Sequence, residues 1–513
     1  MAAETETGLF RAPLLRAILP GHRLLRAGTG CGAAPGVSSL SLPGHRLLFA
    51  AALLLLTGHC GGSVPDIAMH FGTKTRYEDV VRLGRNLSVP GAEGCSPVHL
   101  TAVIRHGTRF PTVKNVRRIA RLSALLRDAA RGHAASARLR DIQDQWEQWY
   151  TEDMDGQLVD KGRTDLSNLA MRLAGSFPAL LTEAELRGGR IDIKTSSKHR
   201  CVSSAEAFQD GLHQVWARAR ETGAPGARET GTESGTEAAE RDQDQDLEYV
   251  HEVDDALLRS FERCRGYVEG VETNATATEE VERFKQGAEL RGVRTRVSEK
   301  LGLAPDLLSP DLVEAAFFIC SYELAVKSLD SPFCRLFTKE DAMVLEYKGD
   351  LKQYWKRAHG HTINGLSSCP LFHHIFRTLD KAGRPRRATD TPPEPASVLI
   401  GHAETLLPLI ALLGLYKDKT TPTATNYQSQ RDRVFRSSHM VPYAANLLFV
   451  LYDCPRGPRL SLLVNESPVP FPGLSHDLPL YRDVRAAYRH LLDGCDFYSE
   501  CEGRRSRAPN TEL

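Results

Sequence analysis

The stretch AVIRHGTRFPTVKN, residues 102–115, places Arg105, His106 and Arg109 directly after a short apolar run. That run, PVHLTAVI (residues 97–104), is apolar and β-branched, which predicts a strand ending just before the first arginine. Two fixed cations beside one imidazole are costly in an apolar core, whereas they suit a site that holds an anion. The stretch therefore predicts an anion-binding loop, provided that other parts of the chain supply partners for it.

The composition is that of an ordinary globular protein. At 513 residues and 41% hydrophobic content, the chain is long enough for two domains or for one large domain with an insertion. Its 65 Lys and Arg nearly balance 64 Asp and Glu, for a formal net charge of +1. This balance argues against a dedicated nucleic-acid-binding protein, which carries a large basic excess. An anion site must therefore come from a local cluster of cations.

Residues 1–63 have the three parts of a secretory signal. Several arginines precede the apolar run LLFAAALLLL (residues 47–56), and small residues follow it. The run is shorter than the roughly 20 apolar residues that span a bilayer, so we expect a cleaved signal and no stable membrane insertion. A disordered tail or a wrongly assigned start is the alternative interpretation.

Three further features favour the secretory pathway. Asn86, Asn274 and Asn465 each begin a glycosylation triplet, although Pro468 weakens the last. Eleven cysteines without any C-x-x-C pair indicate disulfides rather than a zinc site. The chain ends in NTEL, which resembles the luminal retrieval tetrapeptide in its last two residues and departs from it at Thr511. We therefore expect residence in the endoplasmic reticulum lumen, with a possible retrieval receptor as partner, or secretion.

The order of strands and helices predicts an α/β protein with a helical insertion. Strand patterns recur at residues 190–197, 396–402, 446–453 and 460–466, and helical patterns follow several of them. We expect a discontinuous α/β core at 64–200 plus 391–495, a helical cap at 201–390, and a C-terminal tail at 496–513. Within the cap, residues 218–246 are polar and repetitive, which predicts a disordered insertion.

Polar groups follow three of these predicted strands. Besides Arg105 and its neighbours, Lys198-His199-Arg200 follows the second strand and His402-Ala403-Glu404 follows the third. Ligands of open α/β sheets bind outside the carboxyl ends of the strands, so we expect these groups to converge on one pocket. The alternatives are a helix-capping or core role for His402, and a carboxylate partner for Arg200.

The convergent groups suit phosphoryl transfer. His106 could attack phosphorus as a neutral imidazole, because nearby guanidinium groups disfavour its protonation. Arg105, Arg109 and Arg200 could hold the phosphate oxygens, and His402 opens a helix whose amides favour an anion. Glu404 could protonate the leaving group and then activate water. This scheme requires no metal or cofactor.

The sequences VIRHGTRFPT and GHAET resemble those of the histidine phosphatases, in the branch of acid phosphatases and phytases. The His-Ala-Glu spelling is similar to one subgroup, the multiple inositol polyphosphate phosphatases. SSKHRC, LKQYWKRAHGHTIN and VPYAANLLFVLYDC also resemble that subgroup, and the resemblance runs from about Tyr77 to Leu513. It implies the histidine-phosphatase fold, a central mixed sheet flanked by helices with an inserted, mainly helical cap domain.

The resemblance also implies the roles of the site residues and the substrates. His106 would be the phosphorylated nucleophile and Glu404 the proton donor, with the phosphate held by Arg105, Arg109, Arg200 and His402. The substrates would be phytate, lower inositol polyphosphates and 2,3-bisphosphoglycerate. A disulfide between Cys95 and Cys454 is implied by analogy with related phytases, and Cys495 with Cys501 is a second, local candidate.

Three lysines near the motifs, Lys114, Lys194 and Lys198, could hold further substrate phosphates or could be ordinary surface charges. Extra cations around the mouth of the site would distinguish an inositol polyphosphate phosphatase from a broad-specificity luminal or secreted acid phosphatase. A binding protein built on a decayed phosphatase fold is a third interpretation. It is disfavoured because every expected member of the site is present.

Overall fold

The computed structural model describes residues 66–82, 87, 89, 91–131, 135–222, 249–384 and 392–502, all within one compact unit, Gly61–Leu513. Several predicted features lie outside the described residues: the targeting segment at 1–63, Asn86, residues 223–246 of the polar insertion, and the NTEL terminus. Arg218 to Thr222, which we expected to begin that insertion, instead form the end of a helix.

The described residues contain one sheet. Its strands are β1 (Ser96–Arg105), β2 (Ile191–Thr195), β3 (Glu252–Val253), β4 (Ala396–Gly401), β5 (Asn446–Asp453), β6 (Arg459–Val464) and β7 (Ser467–Pro468). The five strands expected from the sequence are confirmed, with small differences at their ends. The two-residue strands β3 and β7 are too short to produce a recognisable pattern in the sequence.

The sheet has the order β3-β2-β4-β1-β5-β6-β7. The strands from β3 to β1 run parallel, while β5, β6 and β7 pair antiparallel. Arg105 pairs with Gly401 at the carboxyl ends of β1 and β4, and Thr195 pairs with Ile400 on the other side of β4. The residues that follow β1, β2 and β4 therefore emerge side by side at one edge.

The described residues also form helices of widely different length. They are α1 (Tyr77–Val80), α2 (Val113–Ala130), α3 (Ala137–Gln145), α4 (Asp160–Ser176), α5 (Glu183–Arg187), α6 (His199–Thr222), α7 (Asp255–Leu258), α8 (Arg265–Tyr267), α9 (Glu279–Lys285), α10 (Ala288–Leu301), α11 (Pro310–Lys327), α12 (Lys339–Arg357), α13 (Thr362–Leu366), α14 (Cys369–Ala382), α15 (Ala403–Leu412), α16 (Ser437–Met440), α17 (Tyr481–Ala487), α18 (Arg489–Gly494) and α19 (Phe497–Glu502). In this part of the chain, no helix is long and apolar enough to cross a membrane.

Apolar side chains on the two faces of the sheet form separate clusters. On one face, α4 and α6 pack through residues such as Leu169 and Phe208. On the other, α14 and α15 contribute Phe372 and Leu406. Burial on both faces explains why the central strands read as continuous apolar runs rather than alternating ones.

A third apolar cluster joins α2 and α3 to α10, α11 and α12. It corresponds in position to the expected cap, but its members include helices from before residue 200. The expected boundary at 200/201 falls inside α6, which packs against the sheet through Phe208 and Leu212. The division into a core and a cap at those residues therefore stays a prediction.

The described residues contain four disulfides, three of which link distant parts of the chain. Cys95 bonds to Cys454, the pair that the resemblance implied. The expected local pair of Cys495 and Cys501 is wrong. Each of these cysteines reaches back to a residue far earlier in the sequence, so proximity along the chain did not reveal its partner. The remaining bonds are Cys369–Cys495, Cys264–Cys501 and Cys320–Cys334.

Two of the glycosylation candidates lie in very different surroundings. Asn274 is exposed at the start of a short helical turn. Asn465 is only 5% exposed, and its amide nitrogen donates to the backbone carbonyls of His439 and Met440. The expectation of an attached glycan at Asn465 is therefore wrong, because its acceptor nitrogen is buried and already engaged.

Candidate active site

Three loops converge at the carboxyl edge of the parallel strands. His106 follows β1, Ser196 follows β2, and His402 follows β4, which lies between them. The rings of His106 and His402 have centroids 5.6 Å apart. The predicted convergence of the three polar groups is therefore confirmed, and it follows from parallel pairing.

The backbone and side chain of His106 are both fixed. Its amide donates to the carbonyl of Gly401 at 3.0 Å, and its own carbonyl accepts from the amide of Ala444 at 3.2 Å. The ring atom Nδ1 lies 2.8 Å from the carbonyl oxygen of Gly107. Because a carbonyl can only accept, Nδ1 must carry the hydrogen, which leaves the lone pair on Nε2. His106 thus presents one nucleophilic nitrogen.

The electrostatic surroundings keep His106 neutral. Burial, together with the charges of Arg105 and Arg200, lowers the pKa of His106 well below its ordinary value. Both effects have the same sign, since a buried, positively charged site disfavours an added proton. An imidazole in this state can act as a nucleophile even in mildly acidic solution.

Arg105 is positioned by neutral groups. Its Nη1 donates to the backbone carbonyls of Thr73 and Val441, both at 2.7 Å. The guanidinium carbon lies 4.7 Å from the centre of the Tyr443 ring. Carbonyl oxygens and an aromatic face orient the group without cancelling its full charge. The charge therefore remains available to an anion.

Arg109 and Arg200 meet across Gly156. A Cβ atom added to Gly156 would lie 3.7 Å from Nη1 of each arginine. The Nε atoms of Arg105, Arg109 and Arg200 are buried and have no hydrogen-bond partner among the described residues. In this part of the chain, none of the three forms a salt bridge with a carboxylate. The expectation that Arg200 might pair with an acid is not met.

Buried cations without counter-charges are unfavourable unless a ligand supplies the missing charge. A phosphate dianion has enough oxygens to accept from several guanidinium groups at once. Around His106, this arrangement brings an electrophilic phosphorus to a neutral imidazole. The site can therefore both bind and attack a phosphomonoester.

His402 is the N-cap residue of α15. Its backbone amide donates a hydrogen bond to Oγ1 of Thr405 at 2.9 Å. Its ring Nε2 lies 2.8 Å from Oγ of Ser196. Burial, with the charge of Arg200, lowers the pKa of His402 to about 3. His402 thus occupies the helix-capping position that was an alternative for it and also lies beside His106.

Glu404 lies in the first turn of α15, two residues after His402. Burial is the largest single effect and raises the pKa of Glu404, but Arg357, Arg105 and the other neighbouring groups together outweigh it and lower the pKa to about 2. The carboxyl is therefore ionised when no ligand is bound. A proton donor in this position has to acquire its proton together with the anionic substrate.

A second layer of contacts supports the loop that carries His106. Thr108 donates to a carboxylate oxygen of Asp165 on α4, through Oγ1 at 2.6 Å and through its amide at 3.2 Å. The loop passes so close to α4 that a Cβ on Gly107 would lie 2.2 Å from the carbonyl oxygen of Gly162. Only glycine fits at position 107, which explains why a glycine follows His106 in the sequence.

The three candidate lysines have different outcomes. The ammonium group of Lys194 is paired with Asp192 at 3.4 Å and with Glu252, so its role as a substrate-binding residue stays a prediction that its surroundings do not favour. Its charge is thus already neutralised at the edge of the sheet. Lys114 and Lys198 are exposed close to the motifs, and their role stays a prediction.

Sequence reasoning missed several residues around the site. Asp165 supports the loop that carries His106, and Tyr443 orients Arg105. Arg357 lowers the pKa of Glu404. Lys74, adjacent to the Thr73 carbonyl that holds Arg105, was also missed. Their positions depend on tertiary packing between distant segments, although Arg357 lies in the motif LKQYWKRAHGHTIN that carried the resemblance. Within the described residues, no group of His, Cys, Asp and Glu is arranged to hold a metal ion.

The model of the histidine phosphatase superfamily (branch 2) matches residues 98–467. Multiple inositol polyphosphate phosphatase 1 of Homo sapiens is 41% identical over 506 residues, which cover 94% of this chain and 99% of the relative. The Gallus gallus protein of the same name is 42% identical over 449 residues, covering 84% and 92%.

A solved structure has the same fold. The multiple inositol polyphosphate phosphatase of Bifidobacterium longum, in complex with inositol hexasulfate, matches with a TM-score of 0.59 at 15% identity. The match covers 79% of this chain and 93% of the other. At this identity the likeness shows the fold alone: a central mixed sheet flanked by helices.

Replacing Asp165 with Ala tests how the loop is supported. We expect kcat/KM for an aryl phosphate to fall by about tenfold or more, because an unsatisfied buried donor costs about 1–3 kcal/mol. Asp160→Ala, an exposed change on the same helix, should leave kcat/KM within about twofold of the wild type. Equal kcat/KM for both variants would show that Thr108 does not need Asp165. Melting temperatures, measured in parallel, separate loss of loop geometry from loss of folded protein.

Proposed function

The chain belongs to branch 2 of the histidine phosphatase superfamily, and on that premise we propose that it removes phosphates from inositol polyphosphates, phytate among them, through a phosphohistidine intermediate. The observation that carries the proposal is the set of three buried arginines without carboxylate partners around the neutral His106. A relative more than 40% identical over nearly the whole chain supports the class of substrate.

The reaction begins when the phosphate group fills the space between the arginines. Nε2 of His106 attacks phosphorus, so that an N–P bond forms. At the same time, the bond between phosphorus and the ester oxygen of the inositol breaks. Arg105, Arg109 and Arg200 bind the three non-bridging oxygens, over which the transition-state charge is spread. The leaving alkoxide takes a proton from Glu404.

Glu404 becomes a proton donor only when substrate is present. The bound phosphate dianion offsets the positive charge of the arginines and of Arg357, and so raises the proton affinity of the carboxyl group. After the alcohol departs, the ionised Glu404 accepts a proton from water, which attacks the phosphohistidine. The N–P bond breaks, phosphate is released, and His106 returns to its neutral state.

A His106→Ala change tests the proposed function. Phosphate release from phytate, from 2,3-bisphosphoglycerate and from an aryl phosphate should fall by at least about a thousandfold, because no other group replaces the nucleophile. The exposed His476→Ala serves as the matched control and should keep its activity. Wild-type release from the aryl phosphate alone would instead favour a broad-specificity acid phosphatase, and no release at all would favour a binding protein.

Changing Glu404 to Gln tests the proton donor. We expect kcat for phytate to fall by about 10²–10⁴, the usual contribution of general acid catalysis, since its alkoxide leaving group needs a proton. For an aryl phosphate, whose phenolate leaves readily, the loss should be clearly smaller, because only the second step then depends on Glu404. Equal losses on both substrates would assign Glu404 to phosphate binding or to the second step rather than to protonation of the leaving group.

We further propose that the chain works in the endoplasmic reticulum lumen or is secreted from there. Residues 1–63 would act as the signal, and the C-terminal NTEL would engage a retrieval receptor. The four disulfides favour an oxidising compartment. The exposed Asn274 is then a suitable attachment point for a glycan.

Endoglycosidase treatment of protein from secretory cells tests this location. Treatment should increase the electrophoretic mobility of the wild type. In Asn274→Gln the increase should be smaller, by the amount that one glycan contributes. Asn465→Gln is the matched control and should remove none, because Asn465 is buried. An untreated wild type with the mobility of the bare chain would argue against entry into the secretory pathway.

A further inference from the structure

A small cavity of about 70 Å³ lies beside the phosphate pocket. Its lining includes His70, Lys74, Glu314, Phe318, Glu346 and Lys352. The segment that carries Lys74 also holds the reaction site in place, since the carbonyl of the preceding Thr73 accepts from Nη1 of Arg105 at 2.7 Å. The cavity and the phosphate pocket therefore share one wall.

The ammonium group of Lys74 rests on aromatic rings. Its Nζ lies 3.8 Å from the centre of the Phe318 ring and 6.0 Å from that of Tyr322, both on α11. The Tyr322 hydroxyl in turn accepts from Nδ2 of Asn115, in the same stretch as His106. Aromatic faces favour a cation but satisfy none of its hydrogen bonds. Lys74 is thus held in position with its donors available.

The nearby acid does not neutralise this lysine. The carboxylate of Glu314 is paired with Lys348 at 2.5 Å and with Arg118 at 2.9 Å. Among the described residues, neither Lys74 nor Lys352 forms a salt bridge. The second carboxylate of the cavity, Glu346, is likewise engaged, by His70 and Arg436. Two lysines therefore border one cavity whose carboxylates are already paired with other cations. The arrangement repeats, on a smaller scale, the excess of cations around His106.

We propose that Lys74 and Lys352 form a subsite for a second phosphate of the substrate, which they bind while His106 attacks the first. This inference rests on the proposed function and specifies it further. A substrate with several phosphates on one ring can fill both sites, whereas a simple monoester fills only the reaction pocket. The subsite would therefore give preference for polyphosphates through binding rather than through the chemical step.

Competitive inhibition of aryl phosphate hydrolysis by the full-length secreted protein tests this subsite. The two probes are inositol hexakisphosphate, which can reach both sites, and inorganic phosphate, which reports the reaction pocket. Lys74→Met keeps an apolar chain over Phe318 but removes the charge. It should raise the inhibition constant of inositol hexakisphosphate by about tenfold or more, the scale of one charge-assisted contact. The constant for inorganic phosphate should change by less than about twofold.

Lys339→Met, an exposed change at the start of α12, is the matched control and should alter neither constant. An equal rise of both constants in Lys74→Met would overturn the proposal, because Lys74 would then only support Arg105. No rise in either would overturn it as well. The inhibition assay does not need phytate to be turned over. If the wild type binds the hexakisphosphate through Lys74 without hydrolysing it, the proposed function fails and the subsite stands.

The pH dependence provides a second readout. Burial lowers the pKa of Lys74 to about 7, against the opposing charge of Glu314. The groups that face Lys74 or line its cavity are Glu314, Lys352, Arg105, Arg109, His70 and Glu346. Lys74 is charged below this pKa and loses its charge as the pH rises through it, so the subsite should weaken from about pH 6 to about pH 8.

Lys74→Arg keeps its charge over this range and serves as the comparison. The ratio of the two inhibition constants, hexakisphosphate over phosphate, should rise with pH more steeply in the wild type than in Lys74→Arg. Identical slopes would contradict a subsite whose charge comes from Lys74. Titration of the hexakisphosphate itself affects both proteins equally and so cancels in the comparison.

Discussion

The parallel pairing of β1 with β4, and of β4 with β2, is the constraint on which the site depends. The register that joins Arg105 to Gly401 places His106 beside His402, although almost 300 residues separate them in the sequence. A shift of one residue in this register would turn the side chains at the strand ends toward opposite faces. Burial of the sheet on both faces fixes the register, so the packing of α4, α6, α14 and α15 indirectly determines the geometry of the chemistry.

The molecule separates charges that are neutralised from charges that are kept available. Close to the site, Glu346 pairs with His70 and Arg436, while Asp350 pairs with Arg433 and accepts from Ser437. This network of ion pairs joins the segment before β1, helix α12 and the loop before β5. Those first and last segments supply the two carbonyls that hold Arg105. Buried ion pairs thus fix the backbone, and the backbone orients a cation whose charge is left for the substrate.

The sequence indicated the main strands, the edge at which the motifs converge and the anion-binding chemistry. Each of these depends on local patterns or on a general property of parallel sheets. The errors concern contacts between distant segments: the partners of Cys495 and Cys501, and the burial of Asn465. The ion pair of Lys194 with Glu252 was likewise not foreseen. No repeating pattern of apolar and polar residues in the sequence encodes such contacts between distant residues. Lys74 was missed for the same reason, because its importance comes from the carbonyl of Thr73 and the rings of α11.

Glu404 shows why the arrangement of charges also determines when the enzyme acts. A carboxyl surrounded by Arg357 and the phosphate-binding arginines is a poor acid donor in the free protein, since it remains ionised. The same cations attract the dianion that reverses this condition. As the phosphate enters, it offsets their charge and brings negative charge to the carboxyl, so that protonation becomes favourable. Binding of the correct group thus prepares the proton needed to expel the alcohol. A neutral ligand in the same pocket would leave Glu404 ionised and would not prepare the donor.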